Sequence, residues 1–303
     1  MQLYAKSLLL FALKEIVIMW KFISNDIVDT ILPNLLAFFT AWIYSSQPLK
    51  NITIPLLHCL IYSVIYIYTF CISNQINSIE EDKINKPYRA LPTGYVTLPH
   101  TRKRLLFYNF VYLVIGGFYS IFWWSLAWQV VTYLLNFWGW SHHWFTKNVL
   151  GMTLGTIILL NAQFNIAVHG VELSLSTIAY ILIISFWAGV ALPIQDMRDQ
   201  EGDREMGRKT LPLVYGDNRA RRILFVNFAL VCPLIFLLLL LTQLSFVTVI
   251  TSLLPAGILV LSIATHWLIA FRILRFKTPK EDNLTYHIYV ILFCVSIPII
   301  CVL

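Results

Sequence analysis

The sequence predicts an all-α integral membrane protein that forms one domain over residues 1–303. Of its 303 residues, 58% are hydrophobic and only 12% are charged, whereas roughly a quarter of an ordinary soluble domain is charged. Apolar stretches of about twenty residues recur along the chain, long enough to cross a bilayer core as helices. Because these stretches are continuous rather than alternating, and because a backbone in lipid must satisfy its own hydrogen bonds, helices are predicted rather than a β-barrel.

The apolar stretches predict nine membrane spans, in which only Gly116 and Gly117 separate the third from the fourth. The spans cover residues 27–47, 52–73, 105–121, 122–139, 148–168, 175–195, 223–242, 246–269 and 285–303. This division leaves 21 of the 22 Lys and Arg residues on one side, with only Lys50 on the other. The positive-inside rule makes the basic side cytoplasmic. Residues 1–26 are predicted to form an interfacial segment on that face.

The formal net charge of +7 does not indicate a nucleic-acid partner. The basic residues lie in loops between spans and are not interleaved with exposed aromatic residues, as a nucleic-acid-binding surface would require. Membrane topology explains their distribution better. The lipid bilayer is therefore the expected macromolecular environment, and the sequence does not indicate protein partners.

Two loops on the predicted cytoplasmic side, residues 74–104 and 195–222, contain nine of the 15 acidic residues. In both loops, acidic residues are followed by basic residues, a Leu-Pro pair and a later glycine. The matching positions are Asp82, Arg89, Leu91-Pro92 and Gly94 in the first loop, and Asp203, Lys209, Leu211-Pro212 and Gly216 in the second. This order indicates an internal repeat, which in membrane proteins commonly builds a site between its two copies.

The acidic residues predict a magnesium site. If the sixth helix continues past Gln195, then Asp196, Asp199 and Asp203 lie on one helical face. Magnesium would relieve their mutual repulsion, and it commonly bridges carboxylates to substrate phosphates. The first loop offers either Glu80 or Glu81. The predicted ligands are Asn74, Glu81, Asp82, Asp196, Asp199 and Asp203, and all of these except Glu81 are also predicted to be catalytic.

Basic residues beside both acidic groups predict a diphosphate-binding site, because cations and metal-bound carboxylates together suit that leaving group. The predicted diphosphate ligands are Lys86, Arg89, Arg208 and Lys209. A solvated loop of mixed charge is the simpler interpretation of either loop alone, but two loops with the same order of residues favour a site. Asp26 and Asp29, near the start of the first span, are candidates for substrate contact or for helix capping.

The two loops, "NQINSIEEDKINKPYRALPTG" and "DMRDQEGDREMGRKTLPLVYG", resemble the signature loops of UbiA-type intramembrane prenyltransferases. The second loop fits that pattern, with aspartates at its three acidic positions. The first keeps Asn74 and Asp82 but has Ser78 where the family has its middle acid, and Ala90 where proline usually follows Arg89. This departure is similar to the fungal branch of the family that cyclises terpenes.

The resemblance implies a UbiA-like bundle of nine transmembrane helices with an active-site cavity on the cytoplasmic side, Mg²⁺ as cofactor and an isoprenyl diphosphate as substrate. The implied function is a class I terpene cyclase that acts on farnesyl diphosphate, with geranylgeranyl diphosphate next, and releases a cyclic terpene and diphosphate. The alternative is a prenyltransferase that attaches the isoprenyl chain to an aromatic acceptor. The implied location is the endoplasmic reticulum of a eukaryote.

A third hypothesis is a transporter or receptor whose acidic loops bind a cation. Such a protein commonly has charged or broken helices at the centre of the membrane. The predicted spans contain prolines, including Pro233 and Pro255, but no pair of charges at mid-membrane. The sequence therefore favours an enzyme.

Overall fold

The computed structural model of the protein describes residues 2–169 and 172–303. Within those ranges the regular structure is helical, and the one β-type pairing is an isolated bridge between His143 and Lys209. The helices are α1 (Gln2–Ile23), α2 (Ile27–Tyr44), α3 (Thr53–Asn77), α4 (Ile79–Asn85), α5 (Leu98–Phe118), α6 (Phe122–Asn136), α7 (Phe145–Ala167), α8 (Leu175–Met197), α9 (Gln200–Glu205), α10 (Leu211–Tyr215), α11 (Asp217–Leu241), α12 (Phe246–Thr251), α13 (Leu253–Arg275) and α14 (Pro279–Cys301).

Seven helices in the described ranges are long and apolar enough to cross a membrane, namely α2, α3, α7, α8, α11, α13 and α14. They indicate an integral membrane protein, as predicted. The third and fourth predicted spans coincide with α5 and α6, which do not meet the same criteria. The first turns of α5 carry Arg102, Lys103 and Arg104, and α6 has only 15 residues. The number of spans therefore stays a prediction.

The eighth predicted span, 246–269, is not one helix. The chain forms the short helix α12, leaves the helical conformation at Ser252, and continues as α13 to Arg275. Ser252 has extended backbone angles, with φ −86° and ψ 132°. Pro255, in the first turn of α13, has no N–H to donate, so it is tolerated at a helix start but not in a helix interior.

Capping side chains explain where several helices begin. Ser174, Ser245 and Thr278 each precede a helix and accept a hydrogen bond from the backbone N–H three residues later. Such caps satisfy N–H groups that have no partner inside the helix. Pro279 then occupies the first position of α14, where the missing N–H has no consequence.

The long helices form a closed ring in which sequence neighbours pack together and α14 returns to α2. Helix α7 also contacts α2 and α3, so it lies toward the centre. Glycines allow its close contacts. A Cβ on Gly189 of α8 would lie 2.1 Å from Oγ1 of Thr153, and a Cβ on Gly155 would lie 3.1 Å from the Trp128 ring. Small residues commonly let membrane helices approach in this way.

Polar side chains also link the helices inside the ring. Nε2 of Gln163 on α7 donates to Oδ1 of Asn34 on α2, at 2.6 Å, and to Oγ of Ser63 on α3, at 3.1 Å. All three side chains are fully buried. Such interhelical hydrogen bonds fix helix register where no water is available to replace them.

A buried arginine joins the N-terminal end of α11, which follows the second acidic loop, to the N-terminal end of α14. Arg221 is 2% exposed and donates to both carboxylate oxygens of Asp282, each at 2.8 Å. Its Nε also donates to Asp217, at 3.0 and 3.1 Å. Gln200, in the second acidic loop, donates to the same Asp217 at 2.9 Å. Through Asp217, Arg221 therefore links Gln200 of the second acidic loop to α14.

Replacing Arg221 by Leu is expected to lower the free energy of unfolding by about 3–5 kcal/mol, because it leaves the buried Asp282 without a counter-charge. The measurement is thermal unfolding of the purified protein in detergent. Arg222→Leu is the matched control, since the Arg222 side chain is exposed. Equal destabilisation by both variants would contradict a structural role for the buried ion pair.

Candidate active site

A cavity of about 680 Å³ lies where several helix ends meet. Its wall comes from the N-terminal ends of α2, α7 and α14, the C-terminal ends of α3 and α8, and the two acidic loops. It brings together eight of the predicted site residues, namely Asn74, Glu81, Asp82, Lys86, Arg89, Asp199, Asp203 and Arg208. The tertiary structure thus collects residues of both loops, far apart in sequence, around one space.

A helix break at Ser78 orients the first loop. Helix α3 ends at Asn77 and α4 begins at Ile79, because Ser78 has φ −115° and ψ 24°. The Ser78 hydroxyl donates to the carbonyl of Asn74, at 3.0 Å, and to Oδ2 of Asp82, at 3.2 Å. The residue that replaces the family's middle acid is therefore a hydrogen-bond donor that holds the last acid.

The helix break at Ser78 also determines which of the two neighbouring glutamates faces the cavity. Glu81 lines the cavity, whereas the Glu80 side chain is 77% exposed and pairs with Lys83 at 2.7 Å. Glu81 is therefore the glutamate that can act inside the site. Burial raises its pKa above the ordinary glutamate value, and the nearby Arg208 guanidinium opposes that rise.

The expectation that three aspartates of the second loop share one continuous helical face is wrong. The last turn of α8 tightens to a 3₁₀-helix from Leu192, and the helix ends at Met197. Pro193 in that turn cannot donate a helical hydrogen bond. Asp199 then sits at the N-cap position of α9, and Asp203 lies within α9. Both line the cavity despite the break.

Asp196 lies behind the cavity wall. Its carboxylate is fully buried and accepts hydrogen bonds from Nζ of Lys147, at 3.1 Å, and from Nδ2 of Asn148, at 2.7 Å. Gln195 donates to Oδ1 of Asn148 at 2.8 Å and so extends this network. Lys147 and Gln195, unlike Asp196, line the cavity. Asp196 thus holds a lysine whose ammonium group lies at the site.

Each acidic loop folds an arginine back onto the aspartate of its short acidic helix, Asp82 of α4 or Asp203 of α9. Nη1 of Arg89 donates to both oxygens of Asp82, at 2.8 and 3.0 Å. Nη1 of Arg208 donates to Oδ1 of Asp203 at 2.9 Å, and its Nη2 donates to Oε2 of Glu81 at 2.6 Å. Arg208 therefore connects the two loops across the cavity. The arrangement of an arginine on an aspartate is thus repeated in space, but in the second loop the arginine is Arg208 and not the Lys209 that the sequence matched with Arg89.

Lys209 is the predicted diphosphate ligand that does not line the cavity. Its side chain is exposed, while its backbone is part of the isolated β-bridge. The N–H of Lys209 donates to the carbonyl of His142 at 2.7 Å, and its carbonyl accepts from the N–H of Trp144 at 3.0 Å. Lys209 therefore ties the second loop to the connection between α6 and α7.

Sequence reasoning missed several residues of the cavity wall. Lys147 is the single basic residue between the fourth and fifth predicted spans, and that isolation is the signal that could have found it. Arg198 donates to Oδ1 of Asn283 at 2.6 Å and lies 4.2 Å from the ring centroid of Tyr286. Asp26 was not missed, since the sequence offers it for substrate contact or helix capping. It lines the cavity and makes no capping hydrogen bond to α2, so the capping interpretation is wrong.

The carboxylates fit a magnesium ion that binds together with a diphosphate. Oδ2 of Asp203 is buried and has no hydrogen-bond partner within residues 2–169 and 172–303, so it can bind a cation. Among the described residues, no three His, Cys, Asp or Glu side chains already converge on one ion position. Magnesium usually binds through one or two carboxylates, several waters and the phosphates of a substrate. Asp199 and Asp203 on one wall and Glu81 on the other can serve such an ion.

Comparison with known proteins identifies the family and agrees with this fold. The profile of the UbiA prenyltransferase family matches residues 31–297. The chain belongs to this family. A UbiA homologue from Archaeoglobus fulgidus, solved with GPP and Mg²⁺ bound, has the same fold, with a TM-score of 0.67 at 14% identity over 94% of this chain and 100% of that chain.

Two relatives in the family match almost the full chain and carry different activities. A diterpene cyclase of Hericium erinaceus is 33% identical over 287 residues, which cover 93% of this chain and 86% of that protein. A polyprenyl transferase of the same organism is 32% identical over 286 residues, which cover 92% of each protein. The predicted resemblance to UbiA-type enzymes, including terpene cyclases, is confirmed.

Replacing Arg208 by Gln is expected to loosen both acidic loops, because it removes the side chain that bridges Asp203 and Glu81. Hydrogen exchange of the purified protein, followed by mass spectrometry, should become faster over residues 79–85 and 200–205. Arg204→Gln is the control, since Arg204 is exposed on α9 and pairs with no carboxylate among the described residues. Unchanged exchange in Arg208→Gln would mean that the bridge does not hold the loops.

Proposed function

We propose that the protein is a magnesium-dependent class I terpene cyclase that ionises an isoprenyl diphosphate. The observation that carries this proposal is the cavity in which carboxylates of both loops alternate with Lys147, Arg89 and Arg208. A diphosphate needs both metal-binding oxygens and direct cationic partners. The near full-length similarity to a diterpene cyclase supports cyclisation as the reaction.

Farnesyl diphosphate is the first substrate expected from the sequence. The similarity to a diterpene cyclase supports geranylgeranyl diphosphate as well, because diterpenes derive from that longer chain. Both diphosphates carry the same head group, so the residues of the cavity serve either of them. An assay with both diphosphates must determine which length of isoprenyl chain the protein accepts.

The reaction begins when the allylic C–O bond breaks and its electron pair leaves with the diphosphate. Bound magnesium would withdraw electrons from that leaving group. Arg89, Arg208 and Lys147 then stabilise the released diphosphate through charge-assisted hydrogen bonds. A double bond of the same chain attacks the allylic cation, and loss of a proton gives a cyclic hydrocarbon. Water must be kept away from the cation until the ring has formed.

The carboxylates control how these basic side chains meet the substrate. Arg89 and Arg208 are neutralised by Asp82, Asp203 and Glu81. A metal on Glu81 and Asp203 would free Arg208 to turn toward the phosphates, whereas Arg89 would stay paired with Asp82 at the cavity wall. The proposal therefore assigns Glu81, Asp199 and Asp203 to the metal and the arginines to the diphosphate.

The alternative is a prenyltransferase that transfers the isoprenyl chain to an aromatic acceptor. It is supported by the polyprenyl transferase, which matches this chain about as well as the diterpene cyclase does. Both activities share the ionisation step and the same diphosphate site. They differ in whether the nucleophile is a second molecule or a double bond of the substrate itself.

Incubation with farnesyl or geranylgeranyl diphosphate and Mg²⁺, without an acceptor, is expected to give a cyclic terpene detectable by gas chromatography–mass spectrometry. EDTA should abolish it. Glu81→Gln should lower turnover at least about tenfold, the effect of losing roughly 1.4 kcal/mol of transition-state stabilisation, while the matched Glu80→Gln should not. Turnover that appears only after an aromatic acceptor is added would favour the prenyltransferase. Normal turnover in both Glu81→Gln and Asp203→Ala would contradict the proposed site.

We also propose that nine helices span the membrane, with the acidic loops on the cytoplasmic side of the endoplasmic reticulum. Helices α5 and α6 coincide with the third and fourth predicted spans, and nine spans keep 21 of 22 basic residues on one side. A reporter fused to the C-terminus is then expected on the lumenal side. A reporter found on the cytoplasmic side would contradict this topology, because three spans are proposed between the second acidic loop and the C-terminus.

A further inference from the structure

Helix α1 presents an apolar face that the described part of the protein does not cover. Its members follow helical spacing, and Leu10, Leu13 and Trp20 are each at least 50% exposed. The opposite side of the helix is the packed one, where Ile18 and Phe22 are 1% and 0% exposed. In an integral membrane protein, lipid is the medium that meets such a face.

A second cavity, of about 620 Å³, lies between α1 and the first turns of α5. Its wall includes Lys14, Glu15, His100, Lys103, Arg104 and Phe107. It shares no lining residue with the cavity between the acidic loops. It is therefore a separate site on the side of the bundle.

The charges of this second cavity do not balance. Glu15 pairs with Arg104, at 2.9 Å from Nε and 2.5 Å from Nη2. That pair neutralises the cavity's acid and joins α1 to α5. Lys14 and Lys103 have no carboxylate partner among the described residues, and both are exposed. Two cations thus remain available to an anion from outside the chain.

We propose that this cavity binds the phosphate head group of an anionic phospholipid, with Lys14 and Lys103 as its charged partners. The acyl chains would lie on the apolar side chains beside it, because Leu106, Phe107 and Phe110 of α5 are 73%, 59% and 66% exposed. Basic pockets between membrane helices are known to suit such head groups. A free phosphate satisfies the lysines but not this apolar surface, so the lipid is the occupant that the whole cavity fits.

The cavity lacks what an isoprenyl diphosphate site needs. Glu15 is the one acid among the described residues that line it, and Glu15 is already bound by Arg104, so it does not offer a free carboxylate to hold a metal against a diphosphate. A phospholipid in this cavity is compatible with either a cyclase or a transferase reaction in the other cavity.

The test is native mass spectrometry of the full-length protein equilibrated with phosphatidylserine and with phosphatidylcholine of the same acyl chains. The wild-type protein should retain phosphatidylserine preferentially. A Lys near a membrane surface contributes an attraction equivalent to about fivefold in affinity, so Lys14→Gln/Lys103→Gln should weaken phosphatidylserine retention about thirtyfold. Retention of phosphatidylcholine should not change, which also shows that the variant is folded.

The control is Lys277→Gln/Lys280→Gln, which removes the same charge from exposed lysines elsewhere. Retention of phosphatidylserine by this control should match the wild type. Equal loss in both double variants would overturn the proposal, because it would indicate a general effect of net charge. Displacement of the lipid by inorganic phosphate at comparable concentration would also overturn it, since the cavity would then bind an anion without regard to the acyl chains.

Discussion

The fold depends on ion pairs that neutralise the carboxylates buried at the ends of its helices. Asp82, Asp196 and Asp203 are each no more than 2% exposed, and an unpaired buried carboxylate is costly. Each is paired with a basic side chain: Arg89, Lys147 and Arg208 in turn. Lys147–Asp196 joins α7 to α8, whereas the two arginine pairs each lie within one loop. Arg208 also pairs with Glu81 and so joins the two loops around the cavity.

The same pairs make the cavity suited to a charged substrate. A site built from carboxylates alone would repel a diphosphate, and one built from arginines alone would leave no oxygen ligands for a metal. The two kinds of side chain neutralise each other, so the proposed metal and diphosphate would each replace a partner of the same sign of charge. Oδ2 of Asp203, which has no hydrogen-bond partner among the described residues, is the oxygen that such a metal could bind first.

Repetition in the sequence has a structural counterpart. Each loop has a helix that stops, a short acidic helix, an arginine that returns to the aspartate of that helix, and a glycine with positive φ. The φ values are 69° at Gly94 and 80° at Gly216, in the region that glycine tolerates best. The loops differ at one position of consequence, because Ser78 gives the first loop a hydrogen-bond donor where the second has the carboxylate of Asp199.

The membrane class, the approximate helix positions and eight residues of the cavity wall could be predicted from the amino-acid sequence. These follow from local properties, namely continuous apolar stretches, the clustering of charge between them and the repeated order of residues. It could not determine that Glu81 rather than Glu80 enters the site, since that depends on the backbone angles at Ser78. It also could not find Lys147, whose role depends on contact with Asp196, 49 residues away in the chain. Only the tertiary structure decides such contacts, because they form between helices whose packing no local pattern encodes.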